Sequence, residues 1–172
     1  MRILIAYATK NGVSQRCAEL LAEQLPDAFR VTLFRADEKE DLPLPRDFDV
    51  VVLGGSIRYG KLSGALRRYL SRHRETLAEK HFAFFVCCGF PDRVDEYAED
   101  NLPKGLVPSL GVHCFGGELK PEKLKGFDRF VVRSVRKSIV EHDFEDGHYE
   151  GALPEIMPDH IARLVDTLRT LL

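Results

Sequence analysis

Two uninterrupted apolar runs, Val50-Val51-Val52-Leu53 and Phe82-Ala83-Phe84-Phe85-Val86, constrain this chain more than any other feature. A half-buried strand alternates apolar and polar residues. A run with no polar position must bury both faces, as the central strands of a parallel sheet do when helices cover each side. Further strands are expected at Arg2 to Tyr7, Arg30 to Phe34 and Gly111 to Phe115, with the two runs extending to Val50 to Gly54 and Phe82 to Cys88.

Helical periodicity fills the intervals. Ser14 to Leu25 aligns Cys17, Leu20, Leu21 and Leu25, and Ser63 to Leu77 aligns Leu66, Tyr69, Leu70 and Leu77. Asp92 to Leu106 is more polar, and Pro103 should end its helix early. From Pro158 onward, Ile161, Leu164, Val165, Leu168, Leu171 and Leu172 follow a helical repeat. Alternating strands and helices imply a doubly wound α/β fold of three layers, because parallel strands need right-handed crossovers that place helices on both faces. At 172 residues the chain suits one domain.

Charge and cysteine usage exclude several functions. The net charge is −2, which gives no chain-wide basic field for holding nucleic acid. Ile3 to Ala8, the longest early apolar run, is too short for a signal-peptide core or a membrane span, so a cytoplasmic location is expected. Cys17, Cys87, Cys88 and Cys114 contain no C-x-x-C pair and lie in apolar stretches, which predicts buried thiols rather than a zinc site or disulfide framework.

In a doubly wound sheet, ligands bind beyond the carboxyl ends of the strands. After the first strand comes Thr9-Lys10-Asn11-Gly12-Val13-Ser14, where a helix begins. The first N–H groups of a helix lack internal partners and carry partial positive charge, so this loop can hold a phosphate. The same residues serve equally as a plain helix start, with Gly12 turning the chain and Ser14 capping. Neither Gly-x-Gly-x-x-Gly nor a Gly-Lys-Ser/Thr ending is present, which disfavours NAD and ATP here. The third strand runs into Ser56-Ile57-Arg58-Tyr59-Gly60, and the fourth ends at Cys88-Gly89-Phe90-Pro91. Each combines glycine with one aromatic, suited to a flat ligand or to an ordinary turn with a surface ring.

Together these loops resemble a flavin mononucleotide site. Ile3 to Ser14 resembles the flavodoxin phosphate loop, and Val51 to Gly60 is similar to the flavin loop of menaquinone-dependent protoporphyrinogen oxidases, with its Gly-x-Ser-Ile-Arg-Tyr-Gly run. The likeness extends through Ala65, Tyr69 and Phe82 to Val86, and more faintly through Gly116-Gly117-Glu118-Leu119 and Phe127-Asp128-Arg129-Phe130. It implies a flavodoxin-like αβα sandwich with a five-stranded parallel sheet of order 2-1-3-4-5, and FMN as cofactor. By position, Thr9, Lys10, Asn11, Gly12, Val13 and Ser14 would hold the phosphate. Ser56, Ile57, Arg58, Tyr59 and Gly60 would line one side of the flavin ring, and Cys88, Gly89 and Phe90 the other, with Arg58 meeting substrate carboxylates. No side chain is assigned as a catalytic acid or base, because the flavin carries the redox chemistry.

The implied activity is oxidation of protoporphyrinogen IX with electrons passed to a quinone, as in heme biosynthesis. The alternative is a flavodoxin-type electron carrier serving a redox partner protein. A receiver-type signalling module would need clustered acids where Ala6-Tyr7-Ala8-Thr9 stands.

An insertion is expected at about 116–151, before the last helix. Within it, Lys120, Lys123, Lys125, Arg129, Arg133, Arg136 and Lys137 face only Glu122 and Asp128, a local charge of +5 that leaves −7 on the remainder. Phe127, Phe130, Val131, Val135 and Ile139 recur among them at helical spacing. Such a stretch at 120–139 suits peripheral contact with an anionic membrane, or equally a solvated face over a packed apolar one. His142, His148 and the acids around them match no metal-ligand spacing. Ala36 to Asp49 is acidic and proline-containing, a solvated connection.

Overall fold

The computed structural model describes residues 1–36, 43–117 and 155–172. The connection at 37–42 and nearly all of the expected insertion, including its basic stretch and the His142 and His148 cluster, lie outside the described residues.

Five parallel strands, β1 (Arg2–Ala8), β2 (Arg30–Arg35), β3 (Val50–Ser56), β4 (His81–Cys87) and β5 (Val112–Cys114), form one sheet of order β2-β1-β3-β4-β5. That is the expected 2-1-3-4-5 order. The helices are α1 (Val13–Gln24), α2 (Gly64–Arg72), α3 (Arg74–Ala78), α4 (Val94–Asn101) and α5 (Pro158–Arg169).

The uninterrupted runs behave as their chemistry demands. Val50 to Leu53 and Phe82 to Phe85 are fully buried, and alternate residues serve opposite layers. On one face, Leu4, Val51, Leu53, Phe82 and Phe84 pack with Leu66, Leu70, Leu77 and Ala98 from α2, α3 and α4. On the other, Ile3, Ile5, Val52 and Phe85 pack with Cys17 and Leu21 of α1 and with Ile161, Leu164 and Leu168 of α5. Burying each large aliphatic side chain is worth roughly 1.5–3 kcal/mol.

Two helices differ from expectation. The helix expected over Ser63 to Leu77 is broken at His73, whose φ of −109° and ψ of 19° leave the helical well. Its ring lies 4.6 Å from that of Tyr69, one turn earlier on the same face. Asp92 to Leu106 becomes a single 3₁₀ turn at Pro91–Arg93 followed by α4, which stops before Pro103 as the missing N–H requires. At the centre of the sheet, a Cβ on Gly54 would collide with the Phe85 carbonyl, so only glycine permits this approach of β3 to β4.

Candidate functional site

The order β2-β1-β3 reverses the winding between β1 and β3, and the loops leaving their carboxyl ends meet there. The Thr9–Ser14 loop is built from its own hydrogen bonds. Gly12 has a φ of 86° and forms the N-cap of α1, and its N–H donates to Thr9 Oγ1 at 3.0 Å. No side chain caps the helix, so its first turn presents backbone N–H groups at the loop.

Ser14 is not the cap. It lies within the first turn, fully buried, with its hydroxyl 2.7 Å from that of Ser56 at the end of β3. This bond ties the first loop to the third strand across the switch point. Lys10, Asn11 and Gly12 are exposed, Val13 is half-buried and Thr9 is buried.

The loop after β3 is a tight hairpin turn. Arg58 N–H donates to Lys61 O at 2.9 Å, and Lys61 N–H donates to Arg58 O at 3.0 Å. The two central residues, Tyr59 and Gly60, have φ of 51° and 76°, the left-handed pair of a type I′ turn. Gly60 takes this conformation freely. For Tyr59 it costs roughly 1–2 kcal/mol, and the ring is left 62% exposed at the rim with the Arg58 guanidinium 5.9 Å from its centroid.

That strained turn is held from below by Asn101, at the end of α4 and only 6% exposed. Its Oδ1 accepts from Leu62 N–H at 2.7 Å, and its Nδ2 donates to Gly60 O at 3.0 Å and Tyr97 O at 2.8 Å. Lys61 Nζ and Asp100 add an exposed pair at 3.2 Å. Sequence reasoning missed Asn101, because a lone polar residue at a helix end carries no motif.

After β4, Cys88 is buried while Gly89 and Phe90 are half-buried. Cys88 N–H donates to Gly116 O at 3.0 Å, which seats this loop against the chain leaving β5. Arg35 is a second residue not singled out. Its Nη2 donates to Thr9 O at 3.4 Å, and its pairing with Tyr7 in a 2-1 sheet order would have located it.

The expected site residues thus lie on loops leaving the same sheet edge. Thr9–Ser14 and Ser56 are linked directly, Arg58–Gly60 project from the β3 turn, and Cys88–Phe90 leave the adjacent strand.

Residues 4–145 match the flavodoxin domain. The chain belongs to the flavodoxin-domain family. A protoporphyrinogen IX dehydrogenase [quinone] of Leishmania major is 27% identical over 144 residues, which are 79% of this chain and 62% of that protein. The chain therefore spans less than two thirds of that relative. The Escherichia coli K12 protein of the same name is 25% identical over 148 residues, 80% of each chain. An NAD(P)H dehydrogenase (quinone) of Sinorhizobium fredii is 20% identical, over 95% of this chain and 90% of its own. A Streptococcus pneumoniae flavodoxin structure superposes over the whole of both chains with a TM-score of 0.58 at 11% identity, a likeness of fold.

As a member of the flavodoxin-domain family, the chain takes FMN as its cofactor. The described residues fit that group. A helix N-terminus without a side-chain cap suits a phosphate, and an exposed aromatic at the neighbouring turn suits a flat ring.

Proposed function

We propose that the protein is an FMN-dependent dehydrogenase that oxidises protoporphyrinogen IX and passes the electrons to a quinone. The observation that carries this reading is the Arg58–Lys61 turn, which holds a cation and an aromatic ring together at the rim of the flavin-type switch point. Two relatives bearing that activity in their names, at 25–27% identity, support the choice of substrate.

In this reading, Gly12 turns the chain so that the backbone N–H groups of Val13 and Ser14 bind the phosphate, aided by the Thr9 hydroxyl and by Lys10 and Asn11. The Ser14–Ser56 bond fixes that loop relative to β3. Ser56, Ile57, Tyr59 and Gly60 line one side of the ring, and Cys88, Gly89 and Phe90 the other. Tyr59 covers the ring and excludes water. Arg58 meets a propionate carboxylate, which places the porphyrinogen at the exposed edge. Bound FMN supplies the acceptor of two electrons per step, and no side chain is needed as acid or base. The +5 stretch at 120–139 would provide peripheral contact with the anionic membrane that holds the quinone.

The likeness to flavodoxin structures favours a second reading, an electron carrier without an organic substrate. One assay separates them. FMN-loaded protein with protoporphyrinogen IX and a menaquinone analogue should produce fluorescent protoporphyrin and quinol in step. No turnover, with a stable one-electron-reduced flavin in reductive titration, would instead establish the carrier.

A further inference from the structure

Cys88 and Cys114 have their sulfurs 3.7 Å apart, and neither is used by the proposed reaction. Both thiols are free, and both belong to the apolar cluster on the α2–α4 side of the sheet. Val86 is the register partner of Cys114, so Cys88 lies two residues further along the same face. Cys88 is the first residue after β4, in a loop, whereas Cys114 is anchored in the β4–β5 ladder. We propose that this pair is a peroxide-responsive dithiol that closes to a reversible disulfide beneath the loop following β4.

The two sulfurs are chemically unequal. Cys114 Sγ accepts the Gly116 N–H at 3.4 Å and faces the Cys88 thiol, where either sulfur can donate, while the Cys88 thiol also has the Phe90 carbonyl as acceptor at 3.4 Å. The contact with Cys88 and the Gly116 N–H pull the Cys114 thiol below its ordinary range, against burial and the negative charge of Asp92. Cys88 keeps its proton, held by its bond to Cys114 and by burial, with Tyr97 and Asp92 nearby. His160 also lies close, its Nδ1 3.0 Å from the Cys114 carbonyl. The Gly116 N–H, aimed at Cys114 and not at Cys88, favours a thiolate on Cys114, and the thiolate is the nucleophile.

The chemistry balances with hydrogen peroxide as oxidant. The Cys114 thiolate attacks one peroxide oxygen, the O–O bond breaks, and the released hydroxide takes a proton to become water. Cys88 sulfur then displaces the hydroxyl from the Cys114 sulfenic acid, and its proton leaves with that hydroxyl as a second water. Two thiols have lost two electrons, and one peroxide has become two waters. Closing 3.7 Å to the roughly 2.05 Å of a disulfide draws the Cys88 sulfur toward Cys114, whose backbone is paired with Val86 in the β4–β5 ladder.

The other close thiol pair is a built-in control. Cys17 and Cys87 lie on the opposite face of the sheet, in α1 and β4, and Cys87 is pushed well above its ordinary range by its bond to Cys17 and by burial. Proximity alone would oxidise both pairs, whereas the backbone N–H donated to Cys114 Sγ selects Cys88 and Cys114.

The consequence for FMN rests on the proposed role of the Cys88–Phe90 loop. Cys88 Sγ lies 3.4 Å from the Phe90 carbonyl, so closing the disulfide shifts the turn that would line the ring. The test treats the full chain as purified, with the flavin it carries, with one equivalent of hydrogen peroxide, then alkylates, digests and weighs the peptides. A Cys88–Cys114-linked peptide two hydrogens lighter than its parts, reversed by dithiothreitol, is expected. Cys114→Ser should abolish it, and Cys88→Ser should leave a dimedone-trappable sulfenic acid on Cys114. Oxidation of Cys17 and Cys87 first, or all four thiols surviving, would overturn the proposal. FMN retention is measured separately on reduced and oxidised protein, with several-fold weaker binding expected after oxidation. A disulfide that forms without changing FMN affinity would refute the loop's role in flavin contact and leave the thiol chemistry standing.

Discussion

Replacing Asn101 with alanine removes a buried side chain that holds the Tyr59 turn from inside the protein. The change takes away the acceptor for Leu62 N–H and the donor to Gly60 O. Leu62 is 3% exposed, so its N–H loses a partner that water cannot easily replace, at about 1–3 kcal/mol. The turn already carries the left-handed Tyr59, whose roughly 1–2 kcal/mol of conformational cost is released when the turn opens. A bias of about 2 kcal/mol toward the open turn corresponds to roughly a 30-fold loss of the population ready to receive the ring.

FMN titration of Asn101→Ala, followed by quenching of flavin fluorescence, should therefore show binding weakened by about 10- to 30-fold. Thermal melting should fall by only about 4–8 °C. Lys61→Ala removes the exposed pair to Asp100 and should change FMN affinity by less than about fivefold. If Asn101→Ala lowered the melting temperature but bound FMN with unchanged affinity, Asn101 would be a fold residue only, and the turn would not be part of the flavin site.

Other consequences follow from the same geometry. Thr9→Ala should weaken FMN by about tenfold or more, since the lost charge-assisted bond from its hydroxyl costs roughly 1.5–3 kcal/mol, whereas Ser14→Ala acts only by cutting the tie to Ser56; unchanged affinity in Thr9→Ala would remove that hydroxyl from the phosphate site. Gly54→Ala drives a methyl into the Phe85 carbonyl and should destabilise the protein by about 3 kcal/mol or abolish folding, as read by urea denaturation. The Asp49 carboxylate accepts the Arg2 N–H at 2.7 Å, and that bond holds its pKa below the usual carboxylate range. Its contribution is present above the unfolded pKa of about 3.9 and is lost as pH falls through the lower folded value. Asp49→Asn should therefore flatten the stability profile below about pH 4.

The sheet was legible because the apolar runs at Val50 and Phe82 admit hardly any other packing, and the loop positions follow once the strands are placed. The Ser14–Ser56 bond was not legible, since both hydroxyls suit several roles and only the crossing of α1 over β3 brings them together. The break at His73 contains neither glycine nor proline, so no local breaker marks it. Tyr59-Gly60 does carry a turn signal, a glycine second in a two-residue loop, but a tyrosine at positive φ becomes credible only when Asn101 is seen beneath it.

The central claim is that this flavodoxin-domain protein takes electrons directly from a porphyrinogen. Anaerobic mixing of the FMN-loaded protein with protoporphyrinogen IX, with no reductase and no quinone, tests it most directly. The account predicts that the yellow flavin absorbance bleaches as protoporphyrin fluorescence rises. Flavin that stays oxidised under these conditions, yet bleaches at once with dithionite, would contradict it.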